Sequence, residues 1–508
     1  MNNLLKKIAL FLGCISLMQI SIHAQNEIDA LRFSEIDWQG SARFMGAGKA
    51  FGAVGAEFSA LNINPAGIGL YKKSEVTFTP MTLSIFKNSS DYNASSISAQ
   101  DIKYNVGSVG VVLALPGISS TLWKKFQVGF GFNRIKNYNN TFSIEGRNNG
   151  KTIGSVFALA TNGIDYENIN NLGKTEILSE WDSYQKLFFI ANDERAAQAW
   201  MAWESYLIDP VQGSKTLYMP ALIGKDLLHS STVTRSGGND EMVFSIGTNY
   251  DDKLFLGATI GVPFINFTEN RTFIEINDKP DTTDMFGKFT ITDKLRVKST
   301  GINLKLGIIY QPVDFLRVGL AFHTPTYYGK VKENFNRQML AHIVNGERSV
   351  NYTFEENVYT LTTPLRATAN VAFFIFQRAF ISAEYEFAHY GMASMYAKDY
   401  NFKEENRMID KMYGFSHIAR IGAEVNISQA FSLRVGYNYI SSPYKDKIND
   451  GSQHYASAGF GFRTKYFFGD FAYAYNISKE KYWMFDSANK AENKFITHRI
   501  MLTLGVRF

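Results

Sequence analysis

Cysteine is almost absent from the 508-residue chain: Cys14 is the only one. No intramolecular disulfide, cysteine zinc cluster or thiol nucleophile can therefore form in the remainder. Charge is also scarce. Charged residues make up 19%, and 52 Lys+Arg against 47 Asp+Glu leave a formal charge of +5. No basic tract or stripe of the kind that neutralises phosphates is present, which excludes nucleic acid as the partner. Nor is the chain apolar enough for membrane helices. Its mean hydropathy is −0.15, whereas each helical span needs about 20 consecutive, predominantly apolar residues. What is abundant is aromatic: 41 Phe, 27 Tyr and 6 Trp, 15% in all. That content excludes disorder.

The one apolar stretch lies at the start. Asn2, Asn3, Lys6 and Lys7 form a basic n-region, residues 8–20 an apolar h-region, and His23-Ala24 before Gln25 a cleavage site ending in a small residue. Residues 1–24 are read as an export signal. A lipoprotein reading at Phe11-Leu12-Gly13-Cys14 would leave an h-region of about six residues, shorter than the usual range of about 7–15.

From about residue 74 onward apolar and small or polar residues alternate with period two. Ile500, Leu502, Leu504, Val506 and Phe508 share one face, and Arg499, Met501, Thr503, Gly505 and Arg507 the other. The same split predicts strands over 74–86, 104–115, 126–146, 231–250, 253–277, 289–311, 316–336, 350–376, 378–390, 416–427, 430–441, 453–463, 466–477 and 495–508. That is about fourteen, an even number as bacterial single-chain barrels have. Connections after even strands are short and those after odd strands long, up to residues 148–230. A soluble sandwich has no reason to sort its loops so, whereas an outer-membrane barrel does. Phe508 closes the last strand in the manner of a signal to the barrel-assembly machinery. Tyr310, Tyr327, Tyr328, Tyr439 and Tyr466 are expected in the interfacial aromatic girdles that meet membrane lipid and lipopolysaccharide.

A barrel of this width leaves a lumen that something must fill. Residues 25–73 do not alternate. They contain Ala42-Arg43, then Gly46-Ala47-Gly48-Lys49-Ala50, then Asn64-Pro65-Ala66-Gly67 just before the first strand. On these residues the chain resembles the FadL/TodX outer-membrane transporters. The resemblance implies an all-β, transmembrane antiparallel barrel (residues 74–508) plugged by an N-terminal hatch (residues 25–73), with Asn64, Pro65, Ala66 and Gly67 in the hatch motif. It also implies passive, inward movement of long-chain fatty acids or other hydrophobic small molecules, with no enzymatic activity and no cofactor. By itself the Asn-Pro-Ala-Gly string is an ordinary turn. The 148–230 loop is longer than that family usually carries.

Other chemistry finds less support. Gly46-Ala47-Gly48-Lys49 lacks the upstream Gly and the Ser or Thr of a phosphate loop, and the eight histidines form no metal-ligand spacing. The inward charges Lys305, Arg317, Glu384, Glu386, Arg420, Glu424, Arg434, Arg463, Asp470, Arg499 and Arg507 are expected to pair across the lumen and anchor the hatch. One Arg among them is an alternative carboxylate site. Within the long loop, Trp181, Phe188 and Trp203 sit on helically spaced apolar faces, either packed on the barrel rim or forming a groove for a lipid-like molecule. In the third strand, alternation would place Arg134 and Lys136 in lipid, so an extra residue at Asn133 or Arg134 is expected to bulge the strand. The resembled family has such a kink and uses it as a lateral exit into the bilayer. Two rival readings are a lipid-modifying enzyme, for which Ser382 beside Glu384 and Ser432 beside Arg434 come nearest to a nucleophile, and an adhesin binding through the long loop.

Overall fold

The computed structural model describes residues 27–117, 121–172, 195–280, 286–343, 346–353, 356–376, 378–445, 449–486 and 488–508. The export signal expected over 1–24 lies outside them. Residues 27–153 and 222–508 form one compact unit, and residues 154–221 belong to a second.

In the larger unit fourteen antiparallel spans close into a barrel. The first is Glu75–Tyr92. The second joins Ser95–Asn105 to Ser108–Pro116, and the third joins Trp123–Asn137 to Asn140–Asn149. Spans four to six are Asp226–Tyr250, Leu254–Ile276 and Phe286–Val313. Span seven joins Leu316–His323 to Tyr327–Ile343, and span eight joins Asn357–Thr362 to Arg366–Ile375. The remaining six are Ala379–His389, Phe415–Asn426, Phe431–Ile440, Gln453–Arg463, Phe467–Trp483 and Lys490–Arg507. The last pairs with the first, Val506 opposite Val76. Beyond it the Phe508 amide donates to the Ser74 carbonyl at 3.1 Å.

Burial runs opposite to that of a soluble sheet. Leu433, Val435 and Tyr437 are exposed while Ser432, Arg434 and Asn438 on the same span are buried. Such a wall suits hydrocarbon outside and a polar interior within, and closure leaves no edge to desolvate. Tyr310, Tyr327 and Tyr466 face outward as girdle residues do, but Tyr328 is buried and accepts from the Asn239 amide at 2.9 Å. Consecutive strand residues point to opposite faces, so Tyr327 and Tyr328 cannot both meet lipid.

The loop sorting departs most at the first connection. Spans one and two extend into a polar ribbon, Tyr92 opposite Ser95, and turn through Asn93 and Ala94. Asn93 takes the left-handed conformation (φ 52°) that Asn tolerates. Ser89, Ser90, Asp91, Ser95, Ser96 and Ser98 carry no apolar alternation, so this ribbon reads as a loop in the sequence. The longest connection runs from residue 150 to 225, because the ribbon formed by spans three and four is also longer than its apolar part.

The second unit contains helices Gly154–Thr161, Tyr166–Leu172 and Arg195–Glu204, and a ribbon pairing Ile208–Pro210 with Tyr218–Pro220. Phe157, Ala197, Met201 and Leu207 are buried within it.

Candidate functional site in the barrel interior

Local chemistry fixes the irregular path of residues 27–73. Ser41 caps the short helix Ala42–Gly46 by accepting from the Phe44 amide (3.1 Å), and its hydroxyl donates to Glu57 Oε1 (2.7 Å). Asn64 caps the 3-10 turn Pro65–Leu70 by accepting from the Ala66 amide (3.1 Å), with Pro65 in the first-turn position where a missing N–H costs nothing. Asn64 also donates to the Ile308 carbonyl of span six (3.3 Å).

Both small-residue motifs press on glycines of the wall. A Cβ on Gly436 would lie 2.0 Å from the Gly48 nitrogen, and one on Gly422 would lie 2.1 Å from the Ala47 carbonyl oxygen. A Cβ on Gly307 would meet Asn64 Oδ1 at 2.0 Å, and one on Gly257 the Pro65 oxygen at 2.2 Å. Gly48 itself has φ +65°, which L side chains rarely adopt. The segment thus touches the inner face of spans on opposite parts of the circumference.

Ion pairs complete the attachment. Arg43 grips Glu424 through two bonds of 2.9 Å, and Glu424 also accepts from Arg434 (2.6 Å). Asp37 pairs with Lys49 (2.5 Å) and Arg499 (3.0 Å). Burial would raise the Asp37 carboxyl, but these two cations hold it well below the usual carboxylate range. Glu384 accepts from the Gly52 amide and from Arg420 (3.4 Å), and Lys305 pairs with Glu241 while donating to Asn62 (3.1 Å). The Ser382 hydroxyl is spent on the Val371 carbonyl (3.1 Å), which leaves no nucleophile and base facing each other there.

On the long-loop side of the segment lies an amphipathic cavity of about 260 Å³. Leu31 and Glu35 line it from the segment, and Phe86, Lys136 and Phe495 from the wall. Beside it the wall is unzipped. Spans two and three pair only from Ser108–Asn133 down to Pro116–Lys125. Above that, Ser95–Asn105 pairs with span one and Asn140–Asn149 with span four, and no ladder joins the two among the described residues.

At the head of this seam the register of spans three and four slips between Arg134 and Lys136. Asn133 and Arg134 stay in register opposite Glu241 and Asp240, and the unpaired residue is Ile135, buried at 3% exposure. The bulge thus sits one residue beyond Arg134, because Arg134 is held in the ladder by Asp240 (2.7 and 3.0 Å) while Ile135 is drawn into the interior apolar cluster with Trp38. Lys136 pairs with Glu35 of the N-terminal segment. The carbonyls left free at the seam are taken by the same segment: the Asp37 amide donates to Ile135 and the Gln39 amide to Arg134, both at 3.0 Å.

Similar solved structures with the same layout include a FadL homologue from Pseudomonas aeruginosa, at TM-score 0.54 and 11% identity, covering 93% of this chain and 99% of that one. The chain has the FadL-type barrel fold. The toluene transporter TodX of P. putida is similar at TM-score 0.52 and 12% identity, with 93% and 99% covered. No family model matches the chain, and no curated protein matches it in sequence. A FadL-type barrel is a multi-pass outer-membrane fold, with its short turns on the periplasmic side.

Of the residues singled out in the sequence, Asn64, Pro65, Ala66 and Gly67 are all buried against the wall, and Asn133 and Arg134 flank the seam. Trp203 is half-buried in helix Arg195–Glu204 of the second unit, and Trp181 and Phe188 lie outside the described residues. Sequence reasoning missed Asp37 and Gln39, whose pairing is too short to leave a period. It also missed that inward glycines such as Gly257, Gly422 and Gly436, visible on the polar faces of their strands, seat this segment.

Proposed function

We propose that the chain is a passive outer-membrane channel for hydrophobic small molecules of the long-chain fatty acid or aromatic hydrocarbon kind. The seam between spans two and three carries this reading. A break in the strand pairing of a barrel wall, closed by two amides of an interior segment and by side-chain bonds such as Thr141 to Asp101 (3.4 Å), is a place where cargo can leave sideways into lipid. A hydrophobic molecule taking that route avoids the cost of crossing water.

In this account cargo is first bound by the 148–230 loop, through the apolar side chains of Trp181, Phe188 and Trp203. It then enters the cavity above residues 27–73. Those residues act as the hatch, held shut by the Asn64-Pro65-Ala66-Gly67 turn and the Asp37 pairs. Withdrawal of Asp37 and Gln39 opens the seam. The toluene transporter among the similar folds supports an apolar cargo.

A deletion strain tested with labelled oleate and labelled toluene should lose uptake of at least one, with recovery on complementation. Undiminished uptake of both would overturn the reading.

A further inference from the structure

Three histidines on the outer face of the barrel each meet a tyrosine in the same way. Tyr385 of span nine bonds to His417 of span ten (2.6 Å), Tyr437 of span eleven to His454 of span twelve (2.7 Å), and Tyr473 of span thirteen to His498 of span fourteen (2.7 Å). Each bond joins the phenol oxygen to the imidazole Nδ1. The register repeats as well. Two residues beyond each tyrosine stands another aromatic, Phe387, Tyr439 or Tyr475, and the histidine lies directly opposite it on the next span. Residues two apart share a face of a strand, so the chain writes one outward pattern three times: Tyr-x-aromatic on an odd span, His on the even span that follows.

The height repeats too. His417, His454 and His498 each stand nine residues before the last residue of their spans, Asn426, Arg463 and Arg507, which lie at the short-turn end. At about 3.4 Å per residue and a tilt of about 40°, that stretch rises about 23 Å, against an apolar band about 25 Å tall. The rings therefore sit where the hydrocarbon ends and head groups begin, on the long-loop side. Below them the same faces expose Ile421, Phe460 and Leu504, as a lipid-facing wall does.

Partnering a phenol does not by itself call for this arrangement. A girdle tyrosine reaches head-group water unaided, and Tyr310 and Tyr327, equally exposed, pair with no histidine among the described residues. An imidazole brings a second nitrogen that must also be satisfied. With the phenol, the stronger acid of the two, donating to Nδ1, the ring proton is fixed on Nε2. None of the three Nε2 atoms has a hydrogen-bond partner among the described residues. Three N–H donors thus stand free at one height, at the depth of head-group oxygens. A strand spacing of about 4.8 Å widens to about 6 Å around the circumference at that tilt, so rings on alternate spans are about 12 Å apart. They are too far apart to share one phosphate and far enough for each to take its own.

We propose that the outer face of spans nine to fourteen docks lipopolysaccharide, the Nε2–H groups of His417, His454 and His498 donating to the phosphates of its lipid anchor. Tyr385, Tyr437 and Tyr473 are the positioning residues that hold the rings in that tautomer. The leaflet selects the lipid, because lipopolysaccharide fills the outer leaflet on the long-loop side. The phosphate is selected over the neutral ester and sugar oxygens at that depth, because a charged acceptor makes the stronger hydrogen bond. This face is independent of what the barrel carries.

The test uses the full chain in dodecyl maltoside, which carries no phosphate, with bound lipid counted by native mass spectrometry. Wild type should bind monophosphoryl lipid A about tenfold more tightly than its dephosphorylated form, and a triple variant, His417→Phe, His454→Phe and His498→Phe, should bind the two alike. Phenylalanine keeps a flat ring in each place, and heat-modifiable migration on gels checks assembly. His342→Phe is the control: that histidine, on span seven, pairs with Glu347 (2.9 Å) and lies outside the pattern, so the variant should match wild type. On wild-type protein with 15N-labelled histidine, the Nε2 signals of the rings bonded through Nδ1 should move with monophosphoryl lipid A and stay in place with the dephosphorylated form. That measurement decides the matter even if the triple variant fails to assemble. Equal binding of the two lipids by wild type, undiminished discrimination in the triple variant, Nε2 signals that ignore the phosphate, or phosphatidylglycerol bound as tightly as lipid A would overturn the proposal.

Discussion

Replacing Gly436 by alanine should drive residues 46–48 off the barrel wall while leaving the barrel assembled. The added Cβ would stand 2.0 Å from the Gly48 nitrogen, 2.3 Å from the Ala47 carbonyl carbon and 2.4 Å from the Gly48 Cα. All three are backbone atoms, so no side chain can swing aside. Displacement would also break the bonds through Ser457, whose hydroxyl accepts from the Gly48 amide (3.1 Å) and donates to the Gly46 carbonyl (3.2 Å). Overpacking costs about 1–3 kcal/mol and each lost hydrogen bond about 1 kcal/mol, so docking weakens by about 3–5 kcal/mol, or two to three and a half powers of ten. The control is Gly469→Ala, whose Cβ would meet nothing nearer than Leu504 Cδ2 at 3.7 Å. The assay is trypsin cleavage after Lys49, which is 3% exposed, read alongside single-channel conductance in planar bilayers. The Gly436 variant should be cut rapidly and conduct more, and the Gly469 variant should match wild type. Identical behaviour of the two variants would refute the argument that wall glycines seat the segment.

Two further outcomes are expected. Asn64→Ala removes both the cap on Ala66 and the bond to Ile308, so it should loosen the turn by about 1–2 kcal/mol and lower uptake without changing heat-modifiable migration; a normal uptake rate would reduce the motif to a turn. Since Asp37 is held below its usual value of 3.8, the stability its pairs give is present above that pH and lost as pH falls through the lower folded value. Protease protection of residues 27–73 should therefore persist at pH 5 and fail only in strong acid, and loss at pH 5 would contradict the assignment of these pairs.

The barrel was legible in the sequence because its outer surface faces a uniform solvent. Lipid demands an apolar residue at every second position, as at Leu433, Val435 and Tyr437, and that demand repeats across the chain. Where the strands outrun the lipid the demand ends, which is why the Ser95–Asn105 stretch looked like loop. The interior obeys no such period. Asn64 and Gly48 could be noticed as motifs, but their partners Gly307 and Gly436 lie hundreds of residues away, and only the closed barrel brings them together. The bulge shows the limit most clearly. Charges at Arg134 and Lys136 signalled a broken phase, but its location at Ile135 depends on Asp240 and Trp38, which no local pattern connects to that strand.

The central claim is that cargo leaves through the seam between spans two and three. Asn105 and Asn137 face each other across it, with 3.5 Å between their side-chain amides. The chain's only cysteine, Cys14, lies in the expected export signal, so an Asn105→Cys, Asn137→Cys pair can be bridged with a short bis-thiol reagent such as dibromobimane. Uptake of a labelled hydrophobic substrate into cells carrying this variant should stop on bridging, while singly substituted variants treated alike continue to transport. Full transport through a bridged wall would contradict the account.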